Sequence, residues 1–424
     1  MPSRRPGTPA ALALVIASMI GTGVFTSLGF QLPSLQSAPQ ILFLWALGGV
    51  IALCGALCYA AIAKALPRSG GEHHFLGELY HPALGFMGGL LSAVVGFAAP
   101  TALSAIAFGE YLHKAAPGIP VTAAAIVVIL LGVLSHAFSA TTSARIQLTA
   151  TSLKLLLIFA FLVAAVLLPG KGDIRWALEP ATDFNGILQP AFAISLYWVF
   201  YAYSGWNAAV YGLEEWDQPT RTIRHALVGG TLVVALLYIS LNAAFLRAAP
   251  VEAMVGQLPV GEIAARHLVG DTAASLVALL FALGLFASVS AMLWAGPRVL
   301  AAMARSTPSL EFLNPGHGTP VRPLIILGTL ALVFVVATTF RDLIEYTQAS
   351  LALCTMLTVG GIFLRPKRFA GQQLRLAIPA IIFLAMTGFV VLRSIAEKPV
   401  PTLLAILTAL VAAACYFPLR KTTP

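Results

Sequence analysis

Charge is scarce in this chain. Of its 424 residues only 10% are Asp, Glu, Lys or Arg, while 59% are hydrophobic. No long polar stretch is left over, so the sequence has no room for an appended soluble enzyme or nucleic-acid domain. No Gly-rich phosphate loop is present, which argues against nucleotide-driven action. Cysteine is rare as well: Cys54, Cys58, Cys354 and Cys415 all fall in apolar stretches and read as small buried hydrophobes. None sits in a loop, so a disulfide-linked partner is not expected. Cys54 and Cys58 share a helix face, but two thiols make a poor metal site. A polytopic membrane enzyme needs an intramembrane histidine–carboxylate or serine–base group, and His136 has no acidic neighbour in sequence. Neither a metal nor a cofactor is expected.

What the chain does have is long apolar runs. About twelve can be counted, at 10–32, 39–65, 83–111, 120–137, 142–168, 187–213, 225–247, 272–303, 323–340, 342–364, 374–393 and 400–418. Each is long enough to cross ~30 Å of hydrocarbon as a helix. The net charge of +9 is unevenly placed: with the N-terminus inside, sixteen of the 25 Lys and Arg residues fall on the inner side and eight on the outer. The positive-inside rule then puts both termini in the cytoplasm. The first run is too long for a signal peptide and reads as an uncleaved span. The chain is thus expected to be an all-α membrane protein, with the lipid bilayer as its surroundings.

Two runs are interrupted. The first breaks at Gly21-Thr22-Gly23 and the sixth at Ser204-Gly205, each near mid-membrane. Unwound backbone at that depth is tolerated only where it lines a cavity or binds something, and a pair of breaks in corresponding halves points to a transporter's substrate site. The segment 169–186 separates two blocks of five spans, 1–168 and 187–364, each opening on a broken helix. Because five is odd, the second block inserts upside down, which predicts an inverted repeat. Residues 365–424 supply two further helices, and the loop 66–82 reads as a solvated cytoplasmic helix.

The breaks predict a zwitterion site. The half-helix starting near Gly23 offers free N–H groups and a positive dipole end to a carboxylate, with Thr22 adding a hydroxyl. The Ile20 carbonyl is left free to accept. At the second break the carbonyls of Tyr201, Ala202 and Ser204 lose their helical partners and suit an ammonium. Gly205 permits the turn. An α-amino acid is the commonest small zwitterion. Close helix packing through glycine is the competing explanation for either break alone. Ser18, Ser288 and Ser290 are candidate polar lining. No acidic residue is evident near either break, which favours a neutral substrate. Lys154 lies deep in the fifth run, where an ammonium costs at least ~2.5–3.5 kcal/mol. It serves either as a fixed positive charge where a sodium ion could otherwise bind, or as a reversibly protonated group.

Gly21-Thr22-Gly23-Val24-Phe25 resembles the Gly-Ser-Gly-Ile-Phe motif of the amino acid–polyamine–organocation superfamily. Tyr201-Ala202-Tyr203-Ser204-Gly205-Trp206-Asn207, with Glu214-Glu215 and Pro219-Thr220-Arg221 behind it, is similar to the sixth-span signature of L-type amino acid transporter light chains. Ala144-Arg145-Ile146-Gln147 matches the start of their fifth span. The resemblance covers spans one to ten. It implies a five-plus-five inverted repeat of the LeuT type with broken helices 1 and 6, and sodium-independent amino acid transport, often by exchange. It also implies that Tyr201 gates the site, that Lys154 stands in for a sodium ion and that Asn207 lines the side-chain pocket. The loop 112–119 lacks the cysteine that joins family members to a heavy chain, so a lone subunit in a bacterial plasma membrane is expected. A proton-coupled, cationic amino acid or polyamine permease and a sensor on a transporter scaffold are the alternatives.

Overall fold

The structure is a computed structural model that describes residues 7–137, 140–316, 319–397 and 399–419. Among these residues it is helical, with one isolated bridge between Ser37 and Arg175. The helices are α1 (Thr8–Met19), α2 (Gly23–Gln31), α3 (Ala38–Ala65), α4 (Glu72–Leu79), α5 (Pro82–Leu91), α6 (Ala99–Ala115), α7 (Val121–Ala137), α8 (Ala140–Leu167) and α9 (Pro180–Leu188). The second half holds α10 (Pro190–Tyr203), α11 (Pro219–Ala248), α12 (Val251–Met254), α13 (Val260–Val269), α14 (Asp271–Ser306), α15 (Val321–Ala337), α16 (Phe340–Leu364), α17 (Gln373–Glu397) and α18 (Pro399–Leu419).

Eight stretches among the described residues are long and apolar enough to cross a membrane: Thr8–Gln31, Ala38–Ala65, Pro82–Ala115, Pro219–Ala248, Val277–Ser306, Phe340–Leu364, Leu374–Glu397 and Pro399–Leu419. Shorter apolar helices cover Val121–Ala137, Thr151–Leu167 and Val321–Ala337. The count is smaller than the twelve runs because α7 and α15 are only 17 residues long, α8 counts only over Thr151–Leu167 among the described residues, and α10 stops after 14. Large apolar side chains stay exposed along α8, α17 and α18, among them Phe159, Val166, Ile378, Leu392, Leu407 and Leu410. Such a surface suits lipid and not water. Cys54, Cys58 and Cys354 are buried, but Cys415 lies on the exposed side of α18, against expectation.

Helix starts follow local chemistry. Pro39 opens α3 behind Ser37, whose hydroxyl accepts from the Gln40 N–H at 3.3 Å. The His81 ring caps α5 at Ala83, and Thr339 caps α16 at Asp342. Packing then sorts the helices into two groups. In one, α3 and α1 pack on α11, and α10 packs on α2, α3 and α17. In the other, α14 packs on α6, α7, α8 and α15. Ser37 also ties α3 to the segment before α10: its hydroxyl donates to Asp183 at 2.7 Å, and Arg175 meets the same carboxylate at 2.6 Å. That guanidinium bond holds the Asp183 carboxyl down to about 2.

The segment expected to be a solvated loop helix is not one. In α4, Glu72, Phe75, Leu76 and Leu79 are buried. His73 bonds the Gly85 carbonyl at 2.9 Å and Ser306 at 2.8 Å, which keys α4 to α5 and to the end of α14.

Candidate functional site

Helix α1 stops at Met19, and Ile20 leaves the helical region with φ −73° and ψ 74°. Helix α2 starts at Gly23 with no side chain capping it, which leaves the Gly23 and Val24 N–H groups at the break, while that of Phe25 bonds the Thr22 carbonyl at 2.9 Å. Helix α10 stops at Tyr203; Ser204 is extended and Gly205 takes φ +95°, a conformation that favours glycine. Short 3₁₀ turns at Ala208–Val210 and Leu213–Glu215 follow. The two breaks lie against each other. A methyl group built on Gly23 would sit 2.4 Å from the Ala202 Cα, and one on Gly205 would sit 2.7 Å from the Ser18 carbonyl oxygen. Both glycines are therefore required for packing, as the competing explanation holds. Gly21 is different: its added methyl would meet only the Met19 carbonyl oxygen, at 3.9 Å.

A cavity of about 100 Å³ opens where the breaks meet. Gly21, Thr22, Gly23, Tyr201, Ala202, Ser204, Gly205 and Asn207 all line it. So do Ser18, Ser288 and the π-helical residues Gly96 and Phe97 ahead of Pro100. π-Helical turns recur at functional sites. The Tyr201 hydroxyl lies 3.2 Å from the Thr22 hydroxyl, so the ring of one break is tied to the mouth of the other.

Ile20 and Lys154 are not part of the lining. The Ile20 carbonyl, expected to be free, accepts from the Lys154 ammonium at 2.5 Å and from the Ser288 hydroxyl at 3.1 Å. Lys154 Nζ also donates to Ser288 at 2.8 Å. The lysine is buried at 2% exposure and ties α8 to the first break and to α14. The second break likewise keeps fewer open carbonyls than expected. Tyr201 accepts from the Ser204 N–H at 3.0 Å, and Ala202 accepts from the Tyr238 hydroxyl at 3.0 Å. The Ser204 carbonyl alone of the three has no protein donor among the described residues. Ser290 is not in the lining; it bonds His136 at 2.9 Å.

Two residues escaped the sequence reading. Tyr238, in the middle of α11, bonds both the Met19 and Ala202 carbonyls and so pins the end of one half-helix to that of the other. A lone tyrosine deep in an apolar run was the available signal, since its hydroxyl needs a partner there. Glu72 corrects the expectation that no carboxylate lies near a break. It is 2% exposed and accepts from Asn207 Nδ2 at 2.6 Å, from the Tyr59 hydroxyl at 2.9 Å and from Ser92 at 3.4 Å. Its place in an apparent surface loop hid it. The side chains of Arg145 and Gln147 lie outside those described.

Comparison with known proteins places the chain. The profile of the amino acid permease family matches residues 7–416, so the chain belongs to that family. It is 25% identical over 411 residues to the b(0,+)-type amino acid transporter 1 of Mus musculus, covering 93% of this chain and 83% of that protein. To the large neutral amino acids transporter small subunit 2 of Rattus norvegicus it is 26% identical over 410 residues, covering 93% and 76%. To the human cystine/glutamate transporter it is 25% identical over 419 residues, covering 96% and 83%.

Proposed function

We propose that this protein is a secondary transporter of neutral L-amino acids, sodium-independent and working by exchange or facilitated passage. The observation that carries the reading is the cavity shared by the two breaks, with uncapped N–H groups on one wall and the Ser204 carbonyl on the other. Donors on one side and an acceptor on the other match an α-carboxylate and an α-ammonium. The cavity is smaller than the ~150 Å³ that accommodates a benzene ring, which favours a small side chain. In this reading the two five-helix blocks form an inverted repeat, and the two packed helix groups rock against each other to alternate access. Tyr201 closes over the substrate, Asn207 borders its side chain, and Lys154 occupies a cation's place. The chain works as a lone subunit in a bacterial plasma membrane with cytoplasmic termini.

The test is uptake of radiolabelled amino acids into liposomes holding the purified protein, with defined internal substrate, sodium and pH. Saturable uptake blocked by unlabelled neutral amino acids supports the reading. Equal competition by N-acetyl or carboxamide derivatives sinks it, because each removes charge-assisted hydrogen bonds worth ~1.5–3 kcal/mol.

Glu72 favours a second reading, a proton-coupled or cationic amino acid permease, since a buried carboxylate stands one hydrogen bond from Asn207. Uptake driven by an inward proton gradient, and lost in Glu72→Gln, would establish it in place of exchange.

A further inference from the structure

Helix α17 belongs to the tail beyond the two five-helix blocks, yet two of its residues, Phe383 and Thr387, line the central cavity. They stand one helical turn apart and so share a face. Phe383 packs on Trp206 just past the second break, ring centroids 6.2 Å apart. Thr387 is 2% exposed, and its hydroxyl has no partner among the described residues.

Among the described buried helical threonines, Thr347 of α16 also has an unpartnered hydroxyl, but it lies outside the lining, and Thr387 is the one that faces the cavity. Buried threonines in apolar helices normally satisfy themselves on their own backbone four residues back. Thr26, Thr101, Thr231 and Thr358 all do so, at 2.6–3.0 Å. Thr387 leaves the Phe383 carbonyl alone. An unsatisfied buried hydroxyl weakens the fold unless something bonds it. Ser18, on the first break, is a second unpartnered buried hydroxyl in the same lining. Two such groups around one cavity describe a surface built to be completed by a ligand that can hydrogen-bond.

We propose that Thr387 forms a side-chain subsite that recognises a hydroxyl on the transported amino acid. The proposal rests on the amino acid transport reading above and adds the tail helix to the specificity machinery. The break backbones hold the α-carboxylate and α-ammonium common to every substrate. Thr387 then distinguishes side chains, because a site containing a buried hydrogen-bonding group disfavours the isostere that cannot bond it.

The experiment uses the full chain in liposomes and compares kcat/KM for L-serine and L-2-aminobutyrate, which differ by a hydroxyl in place of a methyl. The wild type is expected to prefer serine. Thr387→Val, which keeps the branched shape and removes the hydroxyl, is expected to cut that preference about fivefold, mainly through KM for serine. Thr387→Ser is expected to retain it. In thermal unfolding without substrate, Thr387→Val should be at least as stable as the wild type, since it removes only an unsatisfied group. An unchanged serine preference in a Thr387→Val protein that still transports both amino acids overturns the subsite. So does a clear loss of substrate-free stability, which would show that the hydroxyl serves the fold. If the wild type takes up no amino acid at all, the transport reading itself fails and the subsite falls with it.

Discussion

Gly21 and Gly23 are two residues apart in one motif, but they answer to different constraints. At Gly23 a methyl would overlap the Ala202 backbone at 2.4 Å, so Gly23→Ala is expected to destabilise the protein by about 1–3 kcal/mol and to lower its melting temperature in detergent. At Gly21 the same methyl has room. Gly21→Ala is therefore expected to fold normally while weakening substrate binding about tenfold, by crowding a carboxylate away from the N–H groups of α2. Melting curves and equilibrium binding on the same preparations separate the two; full binding in Gly21→Ala would show that no ligand approaches that backbone. Tyr201 gives a second residue-scale prediction. Tyr201→Phe loses the bond to Thr22, worth about 1 kcal/mol, and should keep most transport. Tyr201→Ala should slow exchange far more than it weakens binding, because in the proposed reading the ring supplies closure; exchange at the wild-type rate would place the gate elsewhere. The glycine breaks and Lys154 were legible in the sequence because each violates the apolar pattern around it, whereas Tyr201 was legible through the resemblance. The partners that occupy the Ile20 and Ala202 carbonyls were not, since Ser288 and Tyr238 reach them from helices far away in sequence.

Elements were legible in proportion to their hydrophobic length. The run at 39–65 is the helix Ala38–Ala65, and the break after Tyr203 ends α10 where Ser204-Gly205 requires. Helix α4 was misjudged because polar residues dominate its sequence while its environment is protein, and periodicity within eight residues cannot tell the two apart. Its burial has a measurable consequence. Burial pushes the His73 ring below its ordinary value of 6.5, and burial lowers His74 as well. Folded α4 thus resists protonation that the unfolded chain accepts near that value, so the unfolded state binds more protons as pH falls. Stability is complete above about 6.5 and declines below it. Melting temperatures between neutral and mildly acidic pH should fall on acidification, and His73→Gln should flatten the slope. A pH-independent melting temperature over that range would mean that α4 is released before the bundle unfolds.

For the whole molecule, the central issue is what couples the two packed groups of helices. Lys154 belongs to α8, beside α14 in one group, but its ammonium grips the Ile20 carbonyl at the end of α1, in the other. Ser288 on α14 completes a triangle with the same two atoms. A metal ion bridging a broken-helix carbonyl and a hydroxyl would draw the groups together in the same way, using oxygen ligands that sodium also accepts. In the proposed reading the lysine's charge takes that place, so no ion has to be recruited for each turnover. Replacing sodium by choline on both sides of the liposome membrane should therefore leave the uptake rate nearly unchanged. Lys154→Ala removes the tie and leaves the Ile20 carbonyl with one donor in place of two. Exchange is expected to fall steeply while the protein still folds, because the cost of an ammonium at this depth disappears together with its bonds. Two outcomes would count against this account: steep sodium dependence in the wild type, or Lys154→Ala exchanging at the normal rate. Either would show that the groups are coupled through contacts other than the lysine, such as the bond from Tyr111 of α6 to the Phe25 carbonyl of α2.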